Sequence, residues 1–84
     1  MVIERIILTE KFEKDVKKLR DRKFKQRIGT EVKRIRENPR LGKPLMYSLK
    51  GERTIRIRPY RLIYQIQGTT LILLRFEHRV EVYD

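Results

Sequence analysis

The chain has 84 residues, with 22 lysines and arginines against 11 aspartates and glutamates, one histidine and no cysteine, and its formal net charge is +11. This length predicts one small domain over residues 1–84. Without cysteine the chain has no disulfides or thiolate chemistry, and one histidine with scattered acids gives no metal-ligand spacing. The charge favours a polyanionic ligand: nucleic acid, an anionic membrane or an acidic protein.

The first eight residues hold no targeting signal of the usual kind. They include Glu4 and Arg5, so they are too short and too charged for the apolar centre of a signal peptide. No stretch approaches the roughly 20 apolar residues of a membrane span. We therefore expect a soluble, cytoplasmic protein with no membrane partner.

The N-terminal half predicts one strand and two helices. Residues Ile3–Leu8 are β-branched and aliphatic, as in a strand. Thr9 can cap the helix that follows, and Asp21, after a break at Arg20–Arg22, can cap a second helix that ends at Asn38-Pro39. Each helix has one apolar stripe, formed by Phe12, Val16 and Leu19 in the first and by Phe24, Ile28, Val32 and Ile35 in the second.

The C-terminal half predicts a loop and three strands. The segment Arg40–Gly51 contains glycine and proline, and we expect its apolar residues to contact the core: Leu41, Leu45, Met46 and Leu49. The strands are predicted at Arg53–Arg58, Arg61–Gln67 and Thr70–Phe76, with turns at Pro59-Tyr60 and Gly68-Thr69. These short turns make the strands antiparallel hairpins. The tail Glu77–Asp84 can pair again over Val80–Tyr83.

The order of elements is therefore β-α-α-β-β-β. It predicts an α+β fold in which a helical hairpin packs on one face of a twisted, mainly antiparallel sheet. The helices leave the other sheet face open. In the run Thr54-Ile55-Arg56-Ile57-Arg58 the isoleucines point to the covered side, and Thr54, Arg56 and Arg58 point to the open side. Fixed guanidinium groups in a row suit bidentate contact with phosphate.

Several motifs in this order resemble the RelE/ParE toxin superfamily. Residues 54–66 are similar to its central hairpin, in which a basic alternating strand and a tight turn precede Tyr-Arg-apolar-apolar-Tyr. Leu49-Lys50-Gly51 resembles the Leu-x-Gly before that hairpin, and His78–Tyr83 resembles the closing motif. The resemblance covers essentially the whole chain.

The resemblance implies a function and partners. RelE-type members are ribosome-dependent endoribonucleases that cleave mRNA, whereas ParE-type members poison DNA gyrase. Of these the chain most resembles the RelE branch, which implies a cognate acidic antitoxin, the ribosome and mRNA as partners. No metal or small-molecule cofactor is expected, because attack by the RNA 2′-hydroxyl with arginine stabilisation needs none. Two alternatives stay open: a gyrase-directed toxin and a catalytically silent basic RNA- or protein-binding module.

The resemblance also implies site residues. Arg56 and Arg61 match the phosphate-binding cations, Arg79 a third cation, and Tyr83 the terminal tyrosine that stacks on a base or shuttles a proton. We expect Arg53 and Arg58, in the same strand as Arg56, to bind RNA.

The chain departs from the family pattern at two positions. Thr54 stands where RelE-type nucleases often have a lysine, and Glu77 where relatives tend to have glycine. Because arginine is not an ordinary base, His78 is the best remaining acid/base candidate. We expect Arg75 to pair with a nearby acid such as Glu77, and Tyr60 and Tyr64 to pack in the core.

Overall fold

Five strands and two helices make up the fold in the computed structural model, which describes residues 2–78. The sheet order is β1-β5-β4-β3-β2, in which β1 runs parallel to β5 and all other neighbours are antiparallel. This arrangement confirms the predicted α+β fold and its mainly antiparallel sheet. In chain order the elements are β1 (Arg5–Leu8), α1 (Glu10–Lys17), α2 (Arg22–Glu37), β2 (Lys43–Pro44), a 3₁₀ turn (Tyr47–Leu49), β3 (Glu52–Ile57), β4 (Tyr60–Gln67) and β5 (Thr70–His78).

Both helices begin at the predicted caps. The Thr9 side chain accepts a hydrogen bond from the N–H of Phe12, and the Asp21 carboxylate accepts one from the N–H of Lys23. Each bond satisfies a backbone donor that the first turn leaves without an intrahelical partner. Helix α2 ends at Glu37, just before Asn38, as the Asn-Pro pair predicts.

The helices cover one face of the sheet with an apolar core. The stripe residues Phe12, Leu19, Ile28 and Ile35 are buried against side chains from the three long strands: Ile57, Leu62, Tyr64, Leu71, Leu73 and Phe76. Alternate residues of β3 and β4 therefore point toward the helices, and those between them point away. Among residues 2–78 no helix is long and apolar enough to cross a bilayer.

Helix α1 is fastened to a bulge in β5. The pairing of β4 with β5 passes from Ile63↔Arg75 to Tyr64↔Leu73, so Leu74 is skipped. The Thr9 hydroxyl donates to the Leu74 carbonyl at 2.7 Å, and the N–H of Phe76 donates to Asp15 Oδ2 at 2.9 Å. Beyond the end of β1, α1 thus supplies partners for backbone groups along the edge of β5.

The loop before β3 is anchored by Tyr64. This fully buried side chain donates from its hydroxyl to the Pro39 carbonyl and accepts from the N–H of Gly42, both at 2.8 Å. Burial raises the pKa of the Tyr64 hydroxyl, partly opposed by the Gly42 hydrogen bond. Tyr64 is therefore a core residue, as expected.

Several predicted boundaries are wrong. Strand β1 begins at Arg5 rather than Ile3, and β5 continues to His78 rather than ending at Phe76. The β3–β4 turn is formed by Arg58 and Pro59, joined by a cis peptide bond, so Tyr60 already belongs to β4. Met46 does not contact the core: it is 68% exposed because the chain turns outward there, and the following Tyr47 is 93% exposed with a φ of +59°.

Candidate functional site

Arg56 and Arg61 lie directly opposite each other on neighbouring strands. They are a registered pair of β3 and β4, so their side chains leave the same face of the sheet and their Cα atoms are about 5 Å apart. This face points away from the helices, because Ile57 and Leu62, the adjacent residues along each strand, are in the core. Like charges placed directly opposite each other repel, and an anion near both guanidinium groups relieves that repulsion.

The two arginines differ in their access to solvent. Arg56 is exposed, whereas Arg61 is only 5% exposed. Thr54 and Ile63, paired in register on the same face, are also buried, so this face is less open than the alternation of the sequence suggests. A guanidinium shielded from water acts more strongly on a nearby charge, because the local dielectric constant is lower.

Two carboxylates share this face with the arginines. Arg75 contacts both of them, through Nη2 to Glu52 Oε1 at 2.7 Å and through Nε to Glu77 Oε1 at 2.5 Å. All three side chains are about one-fifth exposed. The prediction that Arg75 pairs with Glu77 is confirmed. Arg75 is therefore part of an ion network that borders Arg61, since Arg61 and Glu77 are a registered pair of β4 and β5.

Lys43 adds a cation that the sequence analysis missed. The two-residue strand β2 places it opposite Thr54 in register, on the same face as the arginines. Lys43 is exposed. Lys43 is thus one strand away from Thr54, the position at which RelE-type nucleases often carry lysine. A strand of two residues that includes a proline leaves no alternation from which this placement could be read.

His78 lies on the other side of the sheet. It is paired with Tyr60, and the two rings meet edge-on with centroids 5.4 Å apart. Tyr60 in turn stacks on Phe76 at 4.8 Å and meets Phe24 edge-on at 5.0 Å. The structure therefore does not bring His78 together with Arg56 and Arg61. The predicted strand ends at Phe76, so the sequence leaves the direction of the His78 side chain unset.

The structure also separates Arg53 and Arg58 from the Arg56–Arg61 pair. Arg53 pairs with Tyr64 and so leaves the helix side of β3, where its Nη1 donates to the carbonyls of Gly42 at 2.7 Å and Arg40 at 3.3 Å. Arg53 therefore anchors the loop that precedes β3. Arg58 lies in the β3–β4 turn, is exposed, and accepts at its carbonyl a 3.4 Å hydrogen bond from Arg27. Of the remaining predicted site residues, Arg79 and Tyr83 lie outside the described residues.

Comparison with known proteins identifies the family. The family model described as "ParE toxin of type II toxin-antitoxin system, parDE" matches residues 6–83, which is nearly the whole chain. The chain belongs to this ParE toxin family. The match confirms the resemblance to the RelE/ParE superfamily. A curated relative, Toxin RelG of Mycobacterium tuberculosis, is 44% identical over 50 residues, which span 57% of this chain and 58% of the length of RelG.

Solved structures of similar proteins share the fold of this ParE-family chain. The toxin–antitoxin complex RelBE2 from Mycobacterium tuberculosis contains a chain that is 32% identical and superimposes with a TM-score of 0.77, covering 93% of this chain and all of that one. The YoeB/ParE toxin from Agrobacterium tumefaciens superimposes with a TM-score of 0.79 over 88% of this chain and 96% of its own, at 20% identity. At that identity the second likeness shows the fold alone.

Proposed function

We propose that this chain is the toxin of a toxin–antitoxin pair and that it cleaves mRNA on the ribosome. The observation that carries the proposal is the Arg56–Arg61 pair. Their side chains leave the same face of the sheet from directly opposed positions, Arg56 exposed and Arg61 shielded, so both can reach one phosphate. A phosphate bound between them would lie close to both positive charges and receive two planar sets of donors.

The reaction that fits this pair is transesterification. The RNA 2′-hydroxyl loses its proton and attacks the neighbouring phosphorus, the bond from phosphorus to the 5′-oxygen breaks, and negative charge increases on the phosphoryl oxygens. Arg56 is exposed and can meet the phosphate first, while the shielded Arg61 lies ready to stabilise the added charge. No protein nucleophile is needed, because the substrate supplies its own.

Docking on the ribosome is supported by the basic residues where α1 meets α2. Residues 17–27 contain seven exposed cations and one acid, Asp21. Contacts to phosphate hold a protein on RNA without reading sequence, and they suit a surface of this kind. A toxin that acts on translating ribosomes would work in the cytoplasm, in line with the expectation from the sequence.

An antitoxin partner is supported by the structural neighbours. The solved relatives from M. tuberculosis, Methanococcus jannaschii and Escherichia coli are described as RelBE or RelB–RelE complexes of toxin and antitoxin. A net charge of +11 opposes compaction of the chain by self-repulsion. An acidic antitoxin would relieve that repulsion and cover the basic surfaces.

A second candidate is a gyrase-directed toxin. It is favoured by the description of the family model, which is that of ParE, and by Glu52 and Glu77, which reduce the positive charge beside the arginines. In this case the same surface binds a protein and no RNA is cut. A catalytically silent binding module would affect neither mRNA nor gyrase.

Translation in vitro with a defined mRNA and primer extension tests the proposal. We expect cuts that appear only when ribosomes are present and that leave a 2′,3′-cyclic phosphate and a 5′-hydroxyl. A single 2′-deoxynucleotide at the mapped cut site should abolish that cut. If mRNA stays intact and the chain blocks DNA supercoiling by gyrase, the second candidate replaces the first; if both reactions proceed unaffected, the chain is a silent module.

A further inference from the structure

Glu77 extends the Arg56–Arg61 pair to a row across three strands. The register pairs Arg56 with Arg61 and Arg61 with Glu77, so all three side chains leave the same face of the sheet. Neighbouring strands lie about 4.8 Å apart, which makes the row about 10 Å wide. A phosphate held by the two arginines therefore has a carboxylate at the end of the same row.

Glu77 is held in place by a chain of contacts. Arg75 Nε contacts Glu77 Oε1 at 2.5 Å, and Arg75 Nη2 contacts Glu52 Oε1 at 2.7 Å. Arg75 is thus fixed from two sides and orients Glu77. Glu77 is thus oriented by Arg75, and Arg75 is held by Glu52. Sites that deprotonate a hydroxyl commonly use a base that is oriented in this way by a further group. The second carboxylate oxygen of Glu77, Oε2, has lone pairs that can accept a proton.

We propose that Glu77 is the proton acceptor for the RNA 2′-hydroxyl. This inference rests on the proposed endoribonuclease function. Arginine is not an ordinary base, and Lys43 lies in a different row of the sheet, opposite Thr54. His78 lies on the helix side of the sheet. Within residues 2–78, Glu77 is the titratable group that shares a row with Arg56 and Arg61.

Glu52 lies outside the row formed by Arg56, Arg61 and Glu77. It lies at the start of β3, four residues before Arg56, or about 13 Å along the strand. Its contact is with Arg75, so it acts through that arginine as a positioning residue. Other charged groups that share this face are Arg5, Lys43, Arg56 and Arg61.

The transesterification needs no reagent other than the RNA, Glu77 and water. The proton of the 2′-hydroxyl passes to the Glu77 carboxylate as the 2′-oxygen forms its bond to phosphorus. The bond from phosphorus to the 5′-oxygen breaks, and that oxygen takes a proton from water. The products are a 2′,3′-cyclic phosphate and a 5′-hydroxyl, and Glu77 returns its proton to solvent before the next turnover.

Single-turnover cleavage of ribosome-bound mRNA by Glu77→Gln tests this assignment. The amide keeps the size of the side chain but cannot take the proton, so we expect the rate to fall by about 10²- to 10⁴-fold, the range of general-base catalysis. Glu77→Asp, which keeps a carboxylate, should retain more activity than Glu77→Gln. The matched control is Glu37→Gln, an equal change of charge on an exposed residue at the end of α2, which should cleave at the wild-type rate.

Two further measurements distinguish a loss of proton transfer from a loss of folding or of ribosome binding. Ribosome affinity and the urea midpoint of Glu77→Gln should stay near those of the unmutated chain. If Glu77→Gln cleaves at the wild-type rate or faster, Glu77 only neutralises Arg75 and the assignment is overturned while the nuclease function stands. If the unmutated chain cuts no mRNA, the function fails in its own experiment, and the role of Glu77 fails with it.

Discussion

At the scale of single residues, Gly42 shows why a loop residue can be as constrained as the core. A Cβ atom at this position would lie 2.7 Å from Tyr64 Cε1, 2.8 Å from its hydroxyl and 3.0 Å from the Thr54 carbonyl. Tyr64 is held in this position, because its hydroxyl is hydrogen-bonded to the Gly42 N–H and to the Pro39 carbonyl. Gly29 is the opposite case: within α2 an added Cβ would meet nothing within 4 Å.

The same substitution at these two glycines should therefore have opposite effects. We expect Gly42→Ala to lower the free energy of unfolding by about 1–3 kcal/mol, the usual cost of overpacking. Gly29→Ala should raise it by about 1 kcal/mol, because alanine is the better helix former. Urea unfolding of both variants measures this. A stable Gly42→Ala would show that the loop does not lie against Tyr64 as described.

At the scale of elements, the attachment of α1 to β5 depends on one buried acid. Asp15 is 8% exposed, and its two oxygens are used by the Phe76 N–H and by Lys11. A buried carboxylate is costly unless it is hydrogen-bonded, and here it satisfies a strand donor beyond the end of β1. The helix therefore takes the place of a neighbouring strand over this part of β5.

Asp15→Ala should remove the carboxylate that accepts the hydrogen bond from the Phe76 N–H. It leaves the Phe76 N–H buried without its acceptor, so we expect a loss of about 1–3 kcal/mol in the free energy of unfolding. Asp15→Asn keeps an acceptor oxygen and should lose less. Glu13→Ala, on the exposed side of the same helix, serves as the control in the same denaturation series. Equal stability of Asp15→Ala and Glu13→Ala would contradict the account of this attachment.

Local patterns were enough to predict most elements but not their fine register. Capping residues and apolar stripes placed both helices, because these signals act within a few residues of each other. The bulge at Leu74 depends on contacts from Thr9 and Asp15, more than 60 residues earlier in the chain. Alternation in β3 predicted the face of Arg56, and the register of the β3–β4 hairpin places Arg61 on that same face. The side on which His78 lies depends on how far β5 continues, which its residues alone do not fix.

At the scale of the whole molecule, two of the basic regions differ in how far acids balance their charge. The junction of α1 and α2 carries seven exposed cations against one acid. The sheet face around Arg61 mixes cations with Glu52 and Glu77. This difference suggests separate tasks, with the helix junction supplying attraction to a polyanion and the sheet face supplying chemistry. Losing one cation of the site should therefore affect cleavage far more than binding.

Single-turnover cleavage of ribosome-bound mRNA by Arg61→Ala, measured together with ribosome affinity, tests the role of the arginine pair. Arg61 is shielded and lies opposite Arg56, so we expect its loss to slow cleavage by about 10²-fold or more, the scale for one preorganised donor. Arg61→Lys should recover only part of the rate, because an ammonium keeps the charge but loses the planar fork. Ribosome affinity should change much less in both variants. Full cleavage by Arg61→Ala would contradict the account.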